Sequence, residues 1–144
     1  MEGRMRARLL YHGALVILLG LLAGFPYACV VTGQMAGEER AWRMAHMEGL
    51  LNGMLALIAA GVWDALVLSA RQRRWLALSL IVAAWGNVIA SILGASFGVR
   101  GLSLAGPPMN AVVYLLFIAA IVGVLIGVVL LVRGGAQAIR GADA

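Results

Sequence analysis

The chain has 144 residues, of which 63% are apolar and only 12% charged, and its mean hydropathy is +0.98. A water-soluble fold of this length has no interior large enough to hide that much apolar surface, so a small polytopic membrane protein is expected. The net charge of +5 needs no nucleic acid; arginines beside apolar helices ordinarily meet anionic lipid head groups.

Crossing the hydrocarbon core takes about 20 apolar residues in a helix. Four runs meet that length, over about residues 9–31, 46–70, 75–97 and 109–132. All are rich in Leu, Ala, Val and Gly without strand-like alternation, and a backbone in lipid must satisfy its own hydrogen bonds. The expected fold is therefore all-α, a single integral membrane domain over residues 1–144 forming a bundle of four transmembrane helices. The first run is long for a secretory signal, and no small-residue cleavage pattern clearly follows it, so it is expected to be retained.

Arginine sets the expected orientation. Arg4, Arg6 and Arg8 precede the first span, Arg71, Arg73 and Arg74 lie between the second and third, and Arg133 and Arg140 follow the fourth. The other two loops hold Arg40 and Arg43, offset by Glu38 and Glu39, and a single Arg100. Positive residues collect on the cytoplasmic side, which puts both termini in the cytoplasm and the protein in the inner membrane.

A polar side chain at membrane depth is costly and needs a reason. The candidates are His12, His46, Glu48, Asn52, Asp64, Asn87, Ser91 and Asn110. His12, near the start of the first span, reads as an interface residue rather than a ligand. In the second run, Gly49 and Gly53 lie three and seven positions after His46, on nearly one helix face. Either these glycines let a neighbouring helix approach closely, or they clear space for a flat macrocycle whose iron His46 ligates, histidine being the usual proximal haem ligand. Glu48 and Asn52 are four apart on a different face and can hydrogen-bond each other. Glu48 near the span end is otherwise simply solvated. Asp64, on the same side as Arg71, is expected to form a snorkelling ion pair with Arg71, Arg73 or Arg74.

In the third run Asn87 and Ser91 face the same way near mid-membrane, as an interhelical hydrogen bond or as contacts to a substrate or cofactor. Gly and Pro dominate residues 97–110, an ordered turn region. Its one cation, Arg100, matches a carboxylate such as a haem propionate and fits a plain interfacial arginine equally well. Cys29 is alone, and no Walker loop, serine elbow or paired zinc-type histidines are present.

Taken together, Ala45-His46, Asn52-Gly53-Met54, Trp85 with Asn87, Arg100-Gly101-Leu102, Gly106-Pro107 and the early His12-Gly13 resemble the styrene oxide isomerase family, in order and spacing from about residue 10 to 130. The resemblance implies a homotrimer holding haem b between neighbouring subunits, with His46 as axial ligand. It implies isomerisation of a hydrophobic epoxide to an aldehyde or ketone, with the ferric iron acting as a Lewis acid in a dry apolar pocket. Asn52 would orient the epoxide, with Asn87 and Ser91 as further pocket contacts, and Gly49, Gly53 and Arg100 beside the cofactor. The chain departs from the family pattern at Ser91, where a functional tyrosine is expected, and at Ala83, where an acidic residue is expected. Haem binding carries over better than the epoxide reaction. Two other readings stay open: a haem-binding sensor or electron-transfer subunit without epoxide chemistry, and a haem-free accessory membrane protein.

Overall fold

The computed structural model describes residues 2–142, and within them the regular elements are helical. Helix α1 spans Glu2–Val31, α2 Glu39–Gly61, α3 Ala70–Phe97 and α4 Pro108–Ala142, with a single 3-10 turn at Trp63–Ala65. Three of the four (α1, α3 and α4) are long and apolar enough to cross a membrane by length and composition. Helix α2 falls short of that standard, because Glu39, Arg40, Arg43 and Glu48 crowd its first half.

The second run is shorter than its hydropathy predicts. Helix ends at Gly61 rather than near residue 70, and the chain passes through the 3-10 turn into extended backbone at Leu66. Two devices stop it. Arg73 turns back and donates to the carbonyls of Trp63 at 2.7 Å and Leu66 at 2.9 Å, with its guanidinium 5.5 Å from the Trp63 ring centre. Ser69 then opens α3 with a capping box: its hydroxyl accepts from the Gln72 backbone N–H, and the Gln72 side chain accepts from the Ser69 N–H. Asp64 does not pair with Arg71, Arg73 or Arg74 as expected. Its carboxylate instead accepts from Arg6 of α1 at 2.6 Å, a correction to the pairing inferred from helical spacing.

The helices form two hairpins, α1 with α2 and α3 with α4, joined mainly by α2 and α1 packing on α3. Their buried faces are built from small residues, among them Ala45, Ala56, Ala59, Ala60, Ala77, Ala83, Ala84 and Ala120. Lipid supplies no hydrophobic force between helices, so close backbone approach and dispersion must hold them. At the tightest crossing Gly20 of α1 lies against Gly49 of α2, and a Cβ on either would strike the other's backbone. Gly53 faces Gly13 and Ile17 in the same way. Larger side chains such as Leu18, Leu21, Phe25, Leu125 and Val129 point outward.

Candidate functional site

Helix α2 divides the polar residues between two sides. On the side facing α1, His46 is half-buried, and its Nδ1 lies 2.8 Å from the Gly20 carbonyl oxygen. A carbonyl can only accept, so Nδ1 carries the proton, and in the neutral ring Nε2 is left with its lone pair. Tyr27 stacks beside the imidazole at 6.3 Å and 18°. Gly24 leaves the room: a Cβ there would stand 3.0 Å from Nδ1. An imidazole fixed through one nitrogen by a backbone carbonyl is the usual arrangement of a metal-ligating histidine, so the residue fits the axial place in a haem site. Among the described residues no cluster of three or more His, Cys, Asp or Glu that could hold a metal ion surrounds it.

The glycines do not fit that role as expected. The faces of Gly49 and Gly53 are filled by α1 backbone and by Ile17, so they serve helix packing and present no open floor for a macrocycle. Arg100 is exposed on the loop after α3 and makes no contact with His46.

On the side facing α3, Asn52 is buried and its amide is heavily committed. Its Nδ2 donates to the Glu48 carboxylate at 2.7 Å and to the Glu48 carbonyl at 2.9 Å, while its Oδ1 accepts from Asn87 Nδ2 at 3.2 Å. Glu48 is therefore anchored rather than simply solvated. One turn beyond Asn87, Ser91 is buried and its hydroxyl has no hydrogen-bond partner. It lines a cavity of about 310 Å³ walled by Met44 of α2, Ala90, Gly94 and Ala95 of α3 and Phe117 of α4, with Arg100 at its edge. The structure thus brings Glu48, Asn52 and Asn87 into one chain of contacts with Ser91 a turn further on α3, and keeps His46 on the opposite flank of α2.

Two polar pairs escape the sequence. Trp85 Nε1–H donates to His12 Nδ1 at 3.1 Å, so His12 ties α1 to α3. Asn110 staples the loop that ends at α4: its Oδ1 accepts from the Gly101 N–H at 2.8 Å, and its Nδ2 donates to the Ser103 and Ala105 carbonyls. Gly101 takes φ +59° against Val113, where a Cβ would clash, so the loop carrying Arg100 is held to one path.

The family model described as styrene oxide isomerase matches residues 5–136, which include every one of these side chains. The chain belongs to the styrene oxide isomerase family. It is also 32% identical over 94 residues to the hydroxylaminobenzene mutase HabB of Ectopseudomonas oleovorans, a stretch covering 65% of this chain and 54% of that protein. The chain thus spans about half the length of the curated relative it matches. The one is named an isomerase and the other a mutase.

Proposed function

We propose that this styrene oxide isomerase family member is a four-span membrane enzyme, with α2 as the fourth span. In this reading it takes a small hydrophobic epoxide from the bilayer and rearranges it to an aldehyde or ketone, without net oxidation or reduction. It works as a homo-oligomer, a trimer in the first instance, in the inner membrane with both termini cytoplasmic. The observation that supports the reading is the His46–Gly20 bond, which holds Nε2 of the imidazole in the form that ligates iron.

His46 would hold haem b, and Arg100 would pair with a haem carboxylate brought to its loop. Because His46 and the Asn52–Asn87 side lie on opposite flanks of α2, haem held by His46 of one subunit would face the α3 side of a neighbouring subunit in the oligomer, where its ferric iron would supply a Lewis acid for the oxygen of the opening ring. The chain's own residues provide the rest. Asn87 spends one amide N–H on Asn52 and keeps a second for a substrate oxygen. Ser91, on the same face of α3, keeps its hydroxyl free. Asn52 holds Asn87 in place and is itself fixed by Glu48, so it orients the substrate chiefly through its neighbour. The alanine, methionine and phenylalanine walls give the substrate an apolar lining, with Glu38, Arg40 and Arg100 at the open end.

The test is direct. Protein purified in mild detergent with haem supplied should show an intense porphyrin absorption band, lost in His46→Ala, and should convert phenyloxirane to its aldehyde. A colourless wild-type preparation refutes the cofactor, and a coloured one that leaves every aryl and alkyl oxirane untouched refutes the epoxide reaction.

The identity to a hydroxylaminobenzene mutase favours one second reading, in which the bond that breaks joins nitrogen to oxygen in an aryl hydroxylamine. The same preparation incubated with hydroxylaminobenzene distinguishes the two, an isomeric aminophenol being the product that supports it.

A further inference from the structure

We infer that Tyr27 is a positioning residue for His46: its ring, seated in the packing of α1 on α2 and α3, fixes the plane of the imidazole and so the direction in which Nε2 offers its lone pair. The inference rests on the reading of His46 as the haem ligand and deepens it.

The bond from Nδ1 to the Gly20 carbonyl decides which nitrogen carries the proton. It does not decide the ring plane, because an imidazole held at one nitrogen can still rock about the line of that bond. A second contact, off that line, is needed to stop it. Tyr27 supplies one. Its ring centre lies 6.3 Å from that of the imidazole, with the two planes 18° apart. That separation falls within the range of about 4.5–7 Å at which aromatic rings interact, and near-parallel rings are held in the offset arrangement they prefer.

Helix α1 is laid out for this contact. Gly20, Gly24 and Tyr27 stand four and then three residues apart, hence on one helix face. In that order they give the imidazole an acceptor, an opening and a flat wall. The opening is tight, since a Cβ on Gly24 would stand 3.0 Å from Nδ1 and 3.3 Å from Cε1. The wall is firm, since Tyr27 packs against a buried cluster of Ala23, Trp42, Ala45 and Ala95 drawn from three helices. The Tyr27 hydroxyl forms no hydrogen bond among the described residues, so the ring is what His46 meets. The flat face, not the hydroxyl, carries the role.

Full-length protein with isotope-labelled histidine is purified in detergent without haem, and its imidazole nitrogens are read by NMR, His46→Ala assigning the signal. A second portion is titrated with haem and read by absorption and by EPR, whose g-values follow the plane of an axial imidazole. Wild type and Tyr27→Phe should each show His46 protonated on Nδ1 alone and one EPR species, with haem affinities within about twofold of each other. Tyr27→Met, similar in size but without a flat face, should show both tautomers, a second or broadened EPR species and haem binding about tenfold weaker. Tyr27→Met spectra identical to wild type overturn the inference. So does a Tyr27→Phe that behaves like Tyr27→Met, or a wild type that already holds both tautomers. If Tyr27→Met does not fold, Tyr27→Leu takes its place. If neither folds, the wild-type and Tyr27→Phe spectra decide, one tautomer in both supporting the inference and a mixture in either overturning it. Tautomers that mix in Tyr27→Met, with no haem taken up by wild type, sink the ligand reading and leave the positioning of the ring standing. Haem uptake that is lost in His46→Ala but unchanged in Tyr27→Met, with one tautomer throughout, does the reverse.

Discussion

The carbonyl oxygen of Gly20 lies 2.8 Å from Nδ1 of His46 and accepts its hydrogen bond, and Gly24, one turn along α1, leaves the space in which that bond forms. Removing an outer partner of a metal-ligating histidine typically costs about 10–100-fold in affinity. Gly24→Val places branched carbons where a Cβ alone would already stand 3.0 Å from Nδ1. Haem titrated into the purified variant should bind about tenfold or more weakly than to wild type, read from the absorption band. Wild-type affinity in Gly24→Val would show that the Gly20 bond does not govern ligation.

Asn52 joins Glu48 and Asn87, and its removal strands both. Asn52→Ala should destabilise the folded protein by about 1–3 kcal/mol, the cost of buried polar groups left unpaired. A double-mutant cycle of Asn52→Ala with Asn87→Ala should give a coupling of about 0.6–2 kcal/mol in detergent unfolding. Strict additivity would mean that the two amides act independently.

The Gly20–Gly49 crossing has no spare volume. Gly49→Ala should lower the unfolding midpoint clearly, with an overpacking cost of about 1–3 kcal/mol. Gly135, in α4, has no atom near an added Cβ, and Gly135→Ala should be neutral or stabilising by up to about 1 kcal/mol. Thermal scans of the two variants side by side check both.

Two interactions near the α2–α3 connection should differ sharply in weight. Asp64 and Arg6 are both well exposed, so Asp64→Asn should cost about 1 kcal/mol or less, and less still in high salt. Arg73 donates to the Trp63 and Leu66 carbonyls in the turn after α2, and Arg73→Ala should cost about 1.5–3 kcal/mol, largely insensitive to salt. Denaturation at low and high ionic strength separates them.

Hydropathy located the helices but not their ends. It reports the part of a helix that suits lipid, whereas α1 begins among its arginines, which are good helix formers, and α4 runs on past Arg133 to Ala142. The start of α3 at Ala70 was written in Ser69 and Gln72, a capping-box spacing that an apolar run conceals. The Asn52–Glu48 bond follows from helical spacing and was legible, as was Asn52's need for a partner. Its partner Asn87 lies 35 residues away, and such pairings depend on how helices pack. The same holds for His12 with Trp85 and for Arg6 with Asp64. Gly49 and Gly53 left two roles open in the sequence. The matching Gly13 and Gly20, seven apart in α1, were the signal for the packing role.

Helix α4 reaches the bundle chiefly through α3, while α1 and α2 close on each other glycine against glycine. Chains leave the ribosome from the amino end. The first hairpin, with the imidazole already fastened to its carbonyl, can therefore assemble before the later half has been translated, and the second hairpin needs only to dock. The His46–Gly20 contact and the α3–α4 packing are thus separate products of biogenesis, and substitutions in the last helix can reshape one without disturbing the other.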